Sequence, residues 1–280
     1  MNARTLTPEL REAYLAQLDT WPEPCDRRTI ETRQGATFVL SCGDECAPPL
    51  IVLHGALTNT ASWMFDAQEW APHFRVHMID VIGEPGLSAA SHPALHSDAW
   101  AAWLDDVLDG LGVSSASFVG MSFGGWLALD YACRRPSRVS CLALVCPSGI
   151  GPQKAFLWKV LPLLLLGRWG AAKIRDMVMG HVPGKSSPRA KELMDFLQRI
   201  RTSVRPRPMR LPIMSDKALA GLAIPLLAIV GGRDVMLDSH ATRRRVMALV
   251  PAGRVHFVEE GRHYLPKQAG TVLSFLRNPM

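Results

Sequence analysis

Short apolar and β-branched runs recur along the chain at 50–53, 75–80, 116–120, 139–146, 226–230 and 254–258. Each is of strand length, and most lack a polar residue at every second position, the mark of strands buried on both faces. Between them, apolar residues return at helical spacing over 61–71, 98–111, 123–134, 240–250 and 264–276. From residue 50 onward the pattern is therefore strand, helix, strand, helix, which predicts a parallel sheet flanked by helices. Two earlier runs, 28–32 and 37–41, are expected to pair as an antiparallel edge, with Gly35 and Ala36 in the turn between them. The first twenty residues space Leu and Ala among Glu9, Arg11, Glu12 and Asp19, as an amphipathic helix does.

The alternation breaks between residues 150 and 212. Three helix-like stretches, separated by Gly167, Gly180 and Pro183-Gly184, replace a single crossover there. Arg205-Pro206-Arg207-Pro208 and Leu211-Pro212 favour extended chain and mark the return to the core. The expected architecture is α/β, with a core built from 1–149 and 213–280 and a helical lid, or cap, over 150–212. Apolar residues of the lid, Phe156, Leu157, Trp158, Leu161, Leu164 and Leu165, either pack on the core or line an acyl pocket. Trp158 and Leu161, with Leu57 from the core, are taken as substrate-binding candidates.

Composition narrows the class. With 280 residues, 48% of them hydrophobic and 20% charged, the chain is long enough for one sizeable core and far from the composition of disorder. The N-terminal segment has no apolar h-region or cleavage site, and 155–166 is interrupted by Lys159 and Pro162, so neither a signal peptide nor a transmembrane span is expected. Six cysteines without zinc-type spacing suit a reducing, cytoplasmic setting; Cys42 and Cys46 are near enough in sequence to bridge, but that setting argues against it. The net charge of +6 is concentrated in Arg199, Arg201, Arg205, Arg207 and Arg210 and in Arg243, Arg244 and Arg245. No aromatics interleave these arginines, so solvated helix faces are expected and not a nucleic-acid surface.

The candidate chemistry begins at Gly120-Met121-Ser122-Phe123-Gly124, set between the run ending at Val119 and the helical pattern from 123. A serine on a sharp strand-to-helix turn needs small neighbours, which Gly120 and Gly124 supply. The turn also puts Ser122 at a helix N-terminus, where the Phe123 N–H is free to stabilise an oxyanion. A serine hydroxyl needs a base of near-neutral pKa. Of nine histidines, His263 alone follows the last apolar run and precedes the last helical pattern, which sets it at the carboxyl edge of the sheet beside the serine turn. The orienting carboxylate is assigned to Asp234, at the end of another strand; its competitor Asp238 stands where a helix N-cap is expected. The His54-Gly55-Ala56-Leu57 loop, after an earlier strand, is expected to give the second oxyanion donor through the Ala56 N–H, with Leu57 the less favoured choice.

These residues together resemble the α/β-hydrolase superfamily. His54-Gly55, Asp80 followed by Gly83, Gly86 and Ser88, the turn at Ser122, Gly231-Gly232-Arg233-Asp234 and Gly261-Arg262-His263 appear in the family's order from residue 28 to the end. The stretch from Asp80 to Ser88 is similar to that of a group of bacterial carboxylesterases with a Gly-x-Ser-x-Gly nucleophile elbow, although the commoner pattern is Asp-x-x-Gly-x-Gly-x-Ser. The resemblance implies an α/β-hydrolase fold, a mostly parallel central sheet and a Ser122-Asp234-His263 catalytic triad. Haloalkane dehalogenases and epoxide hydrolases, which carry aspartate at the elbow, are excluded by Ser122.

The expected function is hydrolysis of a small-molecule carboxylic ester with an apolar acyl group, through an acyl-enzyme and without a metal or cofactor. The same triad also serves thioesterases, methyl esterases acting on an acyl chain held by an acidic carrier protein, and C–C bond hydrolases. A catalytically silent hydrolase fold that binds a ligand is the alternative from a different class.

Overall fold

The computed structural model describes residues 6–155, 160–163, 165–180, 187–204 and 209–279. Eight strands form one sheet: β1 (Cys25–Ile30), β2 (Thr37–Cys42), β3 (Pro49–Leu53), β4 (Arg75–Ile79), β5 (Ala116–Met121), β6 (Val139–Val145), β7 (Leu226–Gly231) and β8 (Gly253–Val258). Their order is β1-β2-β4-β3-β5-β6-β7-β8; β2 runs antiparallel to both neighbours and every other pair is parallel. Alternate residues of a strand face opposite sides, so Leu50 and Val52 join one apolar cluster while Ile51 and Leu53 join the other. That is why the central strands read as unbroken apolar runs.

The helices are α1 (Pro8–Asp19), α2 (Met64–Trp70), α3 (Ala99–Leu111), α4 (Phe123–Arg134), α5 (Gly167–Met179), α6 (Pro188–Ser203), α7 (Asp216–Ala220), α8 (Ser239–Leu249) and α9 (Ala269–Arg277). The helix expected over 264–276 starts only at Ala269. Pro266 disfavours helical backbone at Leu265, Lys267 has φ +62°, and the Tyr264 N–H is given to the Val178 carbonyl. The segment expected at 61–71 opens as a 3-10 turn, Thr60–Trp63, before α2. Among the described residues no helix is long and apolar enough to cross a membrane.

Helix α1 is part of the core. Thr7 caps it, Tyr14 is fully buried, and the Tyr14 ring stacks on Phe196 of α6 at 5.8 Å. The Tyr14 hydroxyl donates to Asp80, which also accepts the Thr60 and Leu87 N–H groups. Asp80 thereby ties the loops after β3 and β4 to the N-terminal helix. Its neighbour Gly86 has no alternative, because a Cβ there would meet the carboxylate at 2.5 Å.

The segment between β6 and β7 carries α5, α6 and the short α7. Residues 152–154 first run along the loop after β7, with Gln153 bridged to Leu237 and the Lys154 ammonium donating to the Asp234 carbonyl. Leu193, Phe196, Leu197 and Ile200 bury one stripe of α6 against the core. Arg245, expected on a solvated face, instead donates to the Ile150 and Met214 carbonyls and to Asp216. It fastens both ends of this segment to α8. All six cysteines are free, so Cys42 and Cys46 do not bridge, as the reducing setting led one to expect; Cys42 is buried in β2 opposite Cys25 in the strand register.

One buried group makes the fold acid-sensitive. His77 is hydrogen-bonded to Ser41 at 2.8 Å, and burial, with the Arg75 and Arg28 charges, pushes its pKa down to about 4. The unfolded chain protonates its histidine near pH 6.5, so between that pH and about 4 it takes up a proton that the native state refuses. This lowers stability on acidification, on the order of 3 kcal/mol at pH 4. Denaturant titrations at pH 7 and pH 4.5 are expected to give a shallower pH dependence for His77→Gln than for the parent. Equal slopes would contradict the assignment.

Candidate active site

Strand β5 runs straight into α4 through Ser122, whose backbone has φ +52° and ψ −106°. This conformation is costly for a residue with a Cβ and persists where the surroundings over-determine it. They do so here: the Ser122 N–H donates to Val145 of β6, and the Ser122 carbonyl accepts from Trp126 and Ser148. A Cβ on Gly120 would lie 2.4 Å from the Gly124 carbonyl oxygen. One on Gly124 would lie 2.2 Å from that of Leu53. The two glycines thus allow both the tight turn and the approach of α4 to the end of β3.

Phe123 opens α4, so its N–H has no acceptor within the helix. Its ring stacks on Trp126 at 6.2 Å and meets the Trp100 edge at 5.6 Å, which fixes the residue and the direction of its N–H.

Ser122, Asp234 and His263 come together from three strand-end loops. His263 Nε2 lies 3.0 Å from Ser122 Oγ, and His263 Nδ1 lies 2.8 Å from Asp234 Oδ2. A nitrogen facing a carboxylate carries the proton, so Nδ1 donates and Nε2 accepts the serine hydroxyl. The remaining Asp234 oxygen accepts the Met236 and Leu237 N–H groups at 2.7 and 3.0 Å. Burial raises the Asp234 pKa, but the hydrogen bond and charge of His263 and the two backbone donors outweigh it, leaving the carboxyl below its ordinary range. Asp238 caps α8 by accepting the Ala241 N–H. It takes no part in this chain of hydrogen bonds.

The loop after β3 lies beside the elbow: a Cβ on Gly55 would stand 3.7 Å from the Ser122 Cβ. Ala56 is exposed, and its N–H is given to no acceptor among the described residues. Leu57 has φ +58° and donates its N–H to the buried Glu84 carboxylate at 2.7 Å, so that N–H is already committed. The Leu57 side chain packs against the core. His54, in the same loop, is buried; Nδ1 bonds the Gly55 carbonyl and Nε2 accepts the Val81 N–H. Burial pushes its pKa down, so His54 acts as a neutral latch between the loops after β3 and β4.

Two candidate substrate contacts fare differently. Trp158 lies outside the described residues, as do Phe156, Leu157 and Leu164. Leu161 is half exposed and Leu165 is 87% exposed, so neither packs on the core. A cavity of about 20 Å³ lined by Ile82, Glu84, His92, Trp100 and Phe123 has room for about one water, not for an acyl chain.

Sequence reasoning did not single out the residues that brace this site. Arg262, next to His263, donates to the Asp176 carbonyl near the end of α5, and the following N–H, of Tyr264, bonds Val178. His263 is therefore carried on a loop clamped to α5. Cys146, just after β6, lies against Asp234 and His263. Its position at the carboxyl end of a central strand was the available signal.

Comparison with known proteins gives consistent relatives. A family model described as the alpha/beta hydrolase fold matches residues 48–173. The carboxylesterase YbfK of Bacillus subtilis is 28% identical over 287 residues, spanning 95% of this chain and 92% of the relative. The crystal structure of naproxen esterase (carboxylesterase NP) from Bacillus subtilis superposes with a TM-score of 0.81 at 26% identity, covering 97% of this chain and 98% of that one. The pimeloyl-(acyl-carrier protein) methyl ester esterase of Vibrio campbellii is 31% identical over 202 residues, 67% of this chain and 76% of the relative.

Proposed function

The chain belongs to the α/β-hydrolase family, and from that premise we propose that it is a serine carboxylesterase acting on a small or medium apolar acyl ester. The observation that carries the reading is the unbroken hydrogen-bond chain from Ser122 Oγ through His263 to Asp234. In this mechanism His263 Nε2 takes the hydroxyl proton as Oγ attacks the ester carbonyl. Asp234 holds the tautomer that makes Nε2 a base and stabilises the imidazolium that forms. The Phe123 and Ala56 N–H groups receive the oxyanion, each contributing about 3 kcal/mol to lowering the barrier. Protonated Nε2 then hands its proton to the leaving alcohol, and water repeats the sequence on the acyl-enzyme.

The segment 150–212 acts in this reading as a lid. Its clamp through Arg262 and Tyr264 couples lid position to that of the base. The setting is cytoplasmic, and the free cysteines agree with it.

A series of p-nitrophenyl esters from acetate to laurate, run beside an acyl thioester, tests the proposal. Turnover of the esters with a maximum at short or medium chains, and stoichiometric labelling by a fluorophosphonate, are expected. Absence of both turnover and labelling would overturn it. A second reading, a methyl esterase acting on an acyl chain held by an acidic carrier, is favoured by the Vibrio campbellii relative. Of the described arginines between 199 and 210, Arg201 is turned to the Met179 sulfur, while Arg199 and Arg210 are exposed. Salt-sensitive turnover of a carrier-bound methyl ester, faster than that of the free ester, distinguishes this second reading.

A further inference from the structure

The proposed mechanism engages Asp234 and His263 with each other and with Ser122, and leaves a third donor beside them unused. Cys146 stands at the end of β6 with φ +44° and is 1% exposed. Its Sγ, a carboxylate oxygen of Asp234 and a ring nitrogen of His263 all lie within 4.8 Å of one another. The three donors come from the loops after β6, β7 and β8, and the Arg262 carbonyl adds an oxygen 3.7 Å from the sulfur. At rest, burial and the Asp234 charge keep the Cys146 thiol protonated.

We infer that Cys146, Asp234 and His263 form a capture site for a thiophilic divalent cation, zinc above all, and that its occupation switches the enzyme off. Thiolate, imidazole and carboxylate are a zinc donor set, and bond lengths of about 2.0–2.3 Å put tetrahedral donor pairs roughly 3.5 Å apart. The 2.8 Å contact between Asp234 and His263 therefore opens slightly while the sulfur closes in. Two anions and a dication sum to zero charge, so the filled site suits its buried position.

The Cys146 S–H bond breaks, its proton leaves to water, and an S–Zn bond forms. Nδ1 must offer its lone pair to the metal, so the proton it carried is re-established on Nε2, which keeps the imidazole neutral. No electrons are transferred. With an N–H on Nε2 facing Ser122, no lone pair remains to accept the serine proton, and acylation stops. Inhibition thus follows from the tautomer, without any block of the substrate path.

This inference uses the function proposed above for its consequence, but the site itself is tested without turnover. Co²⁺ added to the full-length Ser122→Ala variant is expected to give a thiolate-to-cobalt charge-transfer band in the near ultraviolet, saturating at one equivalent. The band is expected to vanish in the Ser122→Ala, Cys146→Ala double variant. In the second arm, Zn²⁺ is expected to inhibit the parent and Cys46→Ser, which lacks an exposed thiol, with full recovery on adding EDTA. For Cys146→Ala, and for Cys146→Ser as a second variant, the inhibition midpoint is expected to rise at least tenfold, relative to each variant's own metal-free rate. No band in Ser122→Ala, a band that survives loss of Cys146, or an unchanged midpoint overturns the site. A band that depends on Cys146 in a protein without ester turnover instead overturns the esterase reading alone.

Discussion

Replacing Ser122 by alanine is expected to lower ester turnover by roughly four to six orders of magnitude and to abolish labelling by a fluorophosphonate. Among the described residues the hydroxyl is the group that His263 Nε2 contacts, so its loss leaves that nitrogen without the nucleophile it would activate. What survives is transition-state stabilisation by the Phe123 and Ala56 N–H groups, worth about a thousandfold or more over water. Stability should hardly change. Alanine keeps the Cβ that already bears the left-handed conformation at φ +52°, and the backbone hydrogen bonds to Val145, Trp126 and Ser148 do not involve Oγ. Intact-protein mass after fluorophosphonate treatment, together with kcat on a p-nitrophenyl ester and a thermal melt, separates a missing nucleophile from a damaged fold. A labelled Ser122→Ala protein sinks the assignment.

Asp234→Asn should cost nearly as much, roughly four orders of magnitude in kcat, and for a reason the hydrogen bonds dictate. One Asp234 oxygen accepts the N–H groups of Met236 and Leu237, so the amide oxygen of asparagine takes that place. The NH2 group then faces His263 Nδ1, which can only accept from it. The ring proton is forced onto Nε2, where it faces Ser122, and the base is lost. Asp238→Asn is the control. Asp238 caps α8 through the Ala241 N–H, asparagine caps as well as aspartate, and neither kcat nor stability should move by much. A large kcat loss in Asp238→Asn with a small one in Asp234→Asn would reverse the assignment of the carboxylate. The same forced tautomer underlies the zinc inhibition, so a metal at Nδ1 and an asparagine at 234 should silence the protein alike.

The loop after β3 links these predictions to the rest of the chain. Its Leu57 N–H is held by Glu84, from the stretch that departs from the commoner family pattern. The Ala56 N–H, by contrast, is given to no acceptor among the described residues. Glu84 in turn belongs to a loop ordered by Asp80, which also accepts from Tyr14 of α1. The N-terminal helix is thereby joined to the site through two hydrogen-bonded loops.

Much of this was legible in one dimension. Apolar runs buried on both faces name the parallel strands, and Gly120 and Gly124 mark a strand-to-helix turn where no Cβ fits. Asp238 shows its capping role by position, directly before a helical pattern. Other features were illegible because their cause is not local. The helical pattern from 264 onward is overridden by Pro266 and by the bond from Tyr264 to Val178, a residue far away in sequence. Arg245 looks like one charge in a solvated run until the Ile150 and Met214 carbonyls approach it.

By itself, then, the sequence determined the strand and helix order and the residue types at the strand ends, since periodicity and steric demand at a turn act over a few residues. The order of the motifs already named Ser122, Asp234 and His263, but only the tertiary structure gave their distances and decided other meetings: Glu84 with the Leu57 N–H, and Cys146 with Asp234 and His263 together. Hydrogen bonds and metal ligation act within a few ångströms, and such distances between residues a hundred positions apart exist only once the sheet has brought its strand ends to one edge.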